Sequence, residues 1–383
     1  MWFIQSEMLP VVLTAALLYM AGVFISDKLN MKKAFLRFCV IINLFVLYKS
    51  SPVLCIFYIV YTAASYVIVE IMRRAKRGRK ALFVAFCLLL VVPFFAYRII
   101  DKTNLGLSLP VLVGFSYNML KAVDALFYTY YTQEKISALN YFNFILFFPV
   151  LTAGPIFRYR DFYKELDNLK PVTPNDAVYA IKRFILGLFK KLVLVALITK
   201  TFEKLMALPE YTLPSSLGIL VLSYLLLYFD LSGYSDMAVG IGKLCGFTVP
   251  ENFKKPWTAA SFTQFWRKWH VTLSDWIREH IFVVVRGKRL NKYQSAIIGF
   301  ITMIVMSLWH EFSVATIVGG VYMGLFLVIE NIFSLSTFNV RKEKRYKYII
   351  RCTLVSFFFA INALTFSVDT MQALEVLKGL IKI

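Results

Sequence analysis

Residues 295–333 read SAIIGFITMIVMSLWHEFSVATIVGGVYMGLFLVIENIF, two apolar runs (295–309 and 313–333) joined across Trp309, His310 and Glu311. A helix needs roughly 20 apolar residues to cross the hydrocarbon core of a bilayer. Both runs are near that length, so the segment reads as two membrane helices with a histidine at their junction. An ionisable group at membrane depth is unfavourable, by roughly 2.5–3.5 kcal/mol for a centrally placed charge on insertion scales. His310 is therefore expected to line a polar cavity. Neutral imidazole is the least unfavourable such group, and its ordinary pKa of about 6.5 suits a general base at neutral pH. The alternative is a hydrogen-bonded packing role.

Working outward, similar apolar runs fall at 9–25, 35–49, 53–72, 81–100, 107–127, 141–157, 180–199, 213–229, 231–247 and 348–367. Several are short or interrupted, which predicts about 9–12 membrane-embedded helices, some of them re-entrant or interfacial. The first run lacks a basic segment before it and a small-residue cleavage site after it, so it reads as a retained helix. The chain of 383 residues is 59% hydrophobic and only 17% charged. Soluble domains are typically about 45–50% apolar and about 25% charged. A soluble enzyme and a disordered chain are thereby disfavoured. The expected fold class is an all-α polytopic membrane protein in a single domain over 1–383. Within it, 1–100 form N-terminal helices, 101–335 a central core and 336–383 a C-terminal helix.

Lys plus Arg number 43 against 22 Asp plus Glu, a net charge of +21. In so apolar a chain this reads as basic loops against an anionic cytoplasmic leaflet, not as a nucleic-acid surface. The blocks at 73–80 (RRAKRGRK) and 341–347 (RKEKRYK) are expected to face the cytoplasm. Counting back from Arg73 places the loop with Lys28, Lys32 and Lys33 inside and the N-terminus outside. The five cysteines are scattered without a CxxC pair, which supports neither a disulfide framework nor a zinc cluster.

Only three histidines occur, His270, His280 and His310. His270 follows Trp269 in a stretch where Phe262, Phe265, Trp266, Trp269, Leu273 and Trp276 recur at three- and four-residue steps. That spacing predicts one helix with an apolar stripe lying at the membrane interface. His270 borders the stripe and is placed to turn towards a cavity beneath it. His280, beside Glu279, reads as a solvated or snorkelling residue.

Three further features mark candidate cavity walls. Asp230 and Asp236 lie with Ser232 and Tyr234 in YFDLSGYSDMA (228–238), and buried carboxylates need partners. Pro149, Gly154 and Pro155 break the run FFPVLTAGPIFRYRDF (147–162) twice, and non-helical backbone at membrane depth is tolerated only where protein or a cavity covers it. Arg158 and Arg160 follow that break, where they either attract an anionic donor or snorkel. No GxSxG elbow, HExxH motif or P-loop occurs, which disfavours serine-nucleophile, metalloprotease and ATP-driven chemistry.

The ordered set FFPVLTAGPIFRYRDF (147–162), YFDLSGYSDMAVGIGKLCGF (228–247), ENFKKPWTAASFTQFWRKWHVTLSDWIREHIF (251–282) and SLWHEFSVATIVGGVYMGL (307–325) resembles the membrane-bound O-acyltransferase family. The similarity is to its bacterial branch, whose members O-acetylate alginate and related exopolysaccharides or pass D-alanine to teichoic acids. The resemblance implies a helical bundle around a transmembrane tunnel. It implies that His310 is the intramembrane catalytic histidine and His270 the second, cytoplasm-side histidine. Trp309, Trp269, Asp230, Ser232, Tyr234, Asp236, Pro155 and Arg158 are then candidate substrate or tunnel residues. The family usually has glycine after the catalytic histidine, where this chain has Glu311, and the connection Val285-Arg286-Gly287-Lys288 replaces a GG-rich turn.

The expected activity is transfer of an acyl group, acetyl first, to a hydroxyl of a cell-envelope or extracellular polysaccharide. No bound cofactor or metal is expected. The cosubstrate is a cytoplasmic thioester, either acetyl-CoA or an acyl carrier protein. The expected partners are that carrier, a glycopolymer acceptor or a separate extracytoplasmic acyltransferase, and membrane lipid, without nucleic acid. The alternatives are D-alanyl transfer to teichoic acid, acyl export to a second transferase, and a non-enzymatic transporter using Asp230 and Asp236. The expected location is the bacterial plasma membrane.

Overall fold

A computed structural model of the protein describes residues 7–102, 112–284, 291–311, 313–338 and 343–382; among them there is no β-strand. The helices are α1 (Met8–Leu29), α2 (Lys32–Ser50), α3 (Pro52–Arg74), α4 (Arg79–Lys102), α5 (Phe115–Thr132), α6 (Ala138–Leu146), α7 (Tyr159–Asp167) and α8 (Pro174–Leu188). They continue with α9 (Val195–Met206), α10 (Leu213–Leu244), α11 (Phe262–Trp266), α12 (Val271–Val284), α13 (Lys292–His310), α14 (Val314–Ile332), α15 (Arg345–Leu364) and α16 (Thr370–Gly379). Seven of them, α1, α3, α4, α10, α13, α14 and α15, are long and apolar enough to cross a membrane. Leu17, Phe24, Ile56, Val60 and Leu88 on these helices are exposed, while Asn43, Asn118 and Lys121 are buried. An apolar exterior around polar interior groups is the arrangement lipid favours. The architecture is all-α and polytopic.

The runs predicted at 213–229 and 231–247 are one helix, α10. Asp230 does not interrupt it, because Lys191 neutralises the carboxylate with an ion pair. Gly233 does not break it either: a Cβ there would stand 3.0 Å from the Gly187 carbonyl oxygen, so the glycine serves close packing. Between α8 and α9 the backbone widens into π-type turns over Phe189–Leu194, which carry Lys190 and Lys191. The first basic block forms the α3–α4 connection. Arg341 and Lys342 of the second lie outside the described residues, as does the Val285–Arg289 connection.

The chain divides into two compact units, residues 1–186 with 235–250, and residues 187–234 with 251–383. In the first, the predicted break between α6 and α7 is present. A short 3₁₀ turn covers Phe148–Val150, and Gly154 takes a left-handed φ of 103°. Buried side chains satisfy this irregular backbone. Asn43 accepts from the Phe148 amide at 3.1 Å. Asn118 donates to Leu151 O at 2.9 Å. Lys121 donates to Ile145 O at 2.9 Å, and Asp124 accepts from the Tyr159 amide at 2.7 Å. Those backbone groups would otherwise lack partners away from water, which explains why polar residues occupy an apolar interior. Gly114 permits the approach, since a Cβ there would lie 2.5 Å from Leu151 O.

In the second unit, Phe202, Ile219, Leu220, Ala360, Leu364, Ala373 and Val376 pack α9, α10, α15 and α16 into one apolar core. Helices α13 and α14 are antiparallel neighbours at very short range. A Cβ on Gly320 would meet Ser307 Oγ at 2.7 Å, and one on Gly324 would meet the Phe300 ring at 2.7 Å. Spaced four apart, these glycines lie on one face of α14 and let the two backbones close together.

Candidate active site

His310 is the last residue of α13. That helix starts with a capping box between Asn291 and Gln294, and α14 starts with another between Ser313 and Thr316. Thr316 also donates to Glu311 O at 2.7 Å. Glu311, the residue after His310, is thus tied to the start of α14.

The predicted single helix over 261–280 is two helices with a break at its centre. Helix α11 ends at Trp266, and His270 takes a left-handed φ of 44° before α12 begins. For a non-glycine residue this backbone is uncommon and persists only where surroundings enforce it. The enforcing contacts are local and specific. Asn252 accepts from the Val271 amide through its carbonyl at 2.9 Å and from Thr272 Oγ1 through its side chain at 2.8 Å. Lys254 N donates to Lys268 O at 2.9 Å, and the His270 carbonyl starts α12 by accepting from Leu273 N and Ser274 N, both at 3.0 Å. The three- and four-residue spacing predicts one continuous helix, and the break corrects that reading: spacing cannot register a reversal held from residue 252.

The break turns His270 inward, where it is 2% exposed. Its ring lies 6.0 Å from that of His310, centroid to centroid, and 6.4 Å from Trp309. Trp269 is buried among Phe265 at 5.6 Å, Phe253 at 5.1 Å and Phe359 at 4.7 Å, so it anchors the turn in an aromatic shell. Burial pushes the His270 imidazole down to about 3, and the neighbouring His310 adds to this. His270 is neutral at physiological pH, and its Nδ1 has no hydrogen-bond partner among the described residues. Two imidazoles side by side, one buried and neutral, can orient a carbonyl and accept a proton.

The remaining predicted residues fall as follows. Trp309 is buried beside His310, with ring centroids 4.7 Å apart. Asp230 is paired with Lys191. Ser232 is buried, and its hydroxyl has no hydrogen-bond partner among the described residues. Tyr234 is buried in the second unit. Asp236, Pro155 and Arg158 belong to the first unit and are buried there. Asp236 is held by Arg183, with N–O distances of 2.7 Å. His280 is not solvated: it is buried, donates from Nδ1 to Trp276 O at 2.7 Å and stacks on the Trp276 ring at 4.1 Å. Its position four residues along α12 brings the ring back over Trp276.

Several contributors gave a weaker signal. Phe253, Phe359 and Phe366, the last 6.1 Å from the His310 ring, are ordinary apolar residues in sequence. Asn252 lies in a short polar segment without periodicity. Glu330 did carry a legible signal, as the one charge in the run 313–333.

The profile of the MBOAT, membrane-bound O-acyltransferase family matches residues 53–368. The chain belongs to this family. A probable alginate O-acetylase, AlgI, of Pseudomonas fluorescens is 33% identical over 231 residues, covering 59% of this chain and 46% of that protein. A teichoic acid D-alanyltransferase of Streptococcus thermophilus is 29% identical over 289 residues, covering 71% and 69%. A peptidoglycan O-acetyltransferase of Helicobacter pylori is 32% identical over 256 residues, covering 63% and 46%. The chain spans about half the length of the alginate relatives it matches. Membership of this membrane family, together with the seven apolar helices, makes the chain a multi-pass membrane protein.

Proposed function

We propose that the protein is an O-acyltransferase that moves an acetyl group from a cytoplasmic thioester, through a tunnel in the membrane, to a hydroxyl of a cell-envelope or extracellular polysaccharide. The observation that carries this reading is the pair of imidazoles 6.0 Å apart at the end of an apolar helix. In the proposed reaction the His310 ring accepts the proton of the acceptor hydroxyl as its oxygen attacks the thioester carbonyl. His270, already neutral, donates a ring N–H to the carbonyl oxygen as it gains charge. Collapse of the tetrahedral intermediate breaks the carbon–sulfur bond. The thiolate leaves and takes the proton back from His310, so an ester and a free thiol result. The donor is acetyl-CoA or an acyl carrier protein, and the chain needs no resident cofactor or metal for these steps.

The proposed setting is the bacterial plasma membrane, with the 73–80 block cytoplasmic and the N-terminus outside. D-Alanine is the second acyl group to weigh, because the streptococcal D-alanyltransferase is covered over more of its length than the alginate proteins. A transporter reading is weakened by the ion pairs that occupy Asp230 and Asp236.

The test is reconstituted protein with labelled acyl donor. Label on a purified envelope polysaccharide without other proteins supports direct transfer. Label released only on the far side supports export to a second transferase. Mass spectrometry of envelope polymers from a deletion strain identifies the acyl group and the acceptor.

A further inference from the structure

Glu330 lies in the last turn of α14 and is 7% exposed. A carboxylate in an apolar helix requires strong partners. Its partners are the first amides of α11, which have no acceptor within their own helix. One carboxylate oxygen accepts from the Phe262 amide. The other accepts from the Thr263 amide and from Thr263 Oγ1, both at 2.9 Å. One turn earlier on α14, Phe326 stacks on Phe262 with centroids 4.3 Å apart. Helix α11 is therefore docked on α14 by a ring stack and a three-donor clamp.

The far end of α11 leads directly to His270. Lys268 N and Trp269 N both donate to Phe265 O at 2.8 Å, so no slack separates the clamped end from the left-handed turn. Helix α14 also lies against α13 through Gly320 and Gly324, and α13 carries His310. One helix thus holds both imidazoles, His310 through a backbone-to-backbone fit and His270 through Glu330.

We infer that Glu330 is a positioning residue that fixes His270 relative to His310 by clamping the start of α11. The inference rests on the acyl-transfer reading for its kinetic consequence, but its structural content does not. Glutamine at 330 keeps the volume and places an NH₂ against amide donors, so the clamp opens without a cavity. A displacement of about 1 Å in a positioned group can lower a rate by about a hundredfold.

The test uses the full chain in nanodiscs with Glu330→Gln and Glu330→Asp. The first readout is independent of activity: carbethoxylation of His270 by diethyl pyrocarbonate, followed by peptide mass spectrometry, with His280 as internal reference. Glu330→Gln is expected to raise His270 labelling several-fold and leave His280 unchanged, with Glu330→Asp intermediate. The second readout is transfer from labelled acetyl-CoA. Here kcat is expected to fall at least tenfold with KM within twofold, and Glu330→Gln is expected to add no loss in a His270→Ala background. Unchanged His270 labelling, or losses that multiply in that background, overturns the inference. If the unsubstituted protein transfers no acyl group, the functional reading fails while the labelling still decides the role of Glu330.

Discussion

The His270 and His310 rings stand 6.0 Å apart, with an interplanar angle of 64°. The two residues reach this geometry by different routes. His310 ends a long apolar helix, whereas His270 occupies a strained turn between two helices. Different routes give the two imidazoles different expected sensitivities.

Replacing His310 with alanine should lower acyl transfer by about 10²–10⁴-fold, the usual contribution of a general base. Expression and size-exclusion profile should match the unsubstituted protein, since His310 is the last residue of α13 and only half-buried. Initial rates with labelled acetyl-CoA measure it, and a rate within threefold of the parent rejects the role.

His270 should make stability depend on pH. Its pKa is about 3 in the folded protein and about 6.5 in an unfolded chain, so the unfolded state binds the proton more readily. The contribution is whole above about pH 6.5 and is lost progressively as pH falls towards 3. Carboxylates titrate there as well, so the measurement is a difference: the unfolding free energy of His270→Gln should fall less steeply below pH 6.5 than that of the parent.

The α13–α14 contact has no space for a side chain at position 320, where a Cβ would lie 2.7 Å from Ser307 Oγ and 3.1 Å from Ile304 Cα. Gly320→Leu should therefore destabilise the protein by about 1–3 kcal/mol. Thermal unfolding in detergent reads the loss. Ser307→Gly should restore part of it for Gly320→Ala but not for leucine, which also meets the Ile304 backbone.

The Arg183–Asp236 pair predicts an asymmetry. Arg183→Met leaves a buried carboxylate without its cation and should cost about 3–5 kcal/mol. The double variant Arg183→Met with Asp236→Leu should be more stable than Arg183→Met alone. A double variant as unstable as the single one would show that Asp236 is held for another reason.

Much of the fold was legible because lipid demands it. Long apolar runs have few ways to satisfy their backbones other than as helices, so α1, α3, α4 and α13–α15 follow from composition and length alone. The break at 148–158 was equally legible, because Pro149, Gly154 and Pro155 act on their own backbone. The join of two runs into α10 was not, because whether Asp230 interrupts a helix depends on a lysine 39 residues away in sequence.

Sequence by itself determined that this is a helical membrane protein with a histidine, His310, at a helix junction and a second, His270, beside an aromatic stripe. Those properties are local: hydrophobic run length, proline and glycine placement, and residue type. Only the tertiary structure decided that His270 sits in a left-handed turn facing His310, that His280 turns back onto Trp276, and that Glu330 anchors α11. Each of the first and third depends on groups distant in sequence, Asn252 and the α14 carboxylate, and the second on a helical register that begins only after the break. Such constraints arise when the chain closes on itself, where unsatisfied backbone amides select the few polar side chains able to reach them.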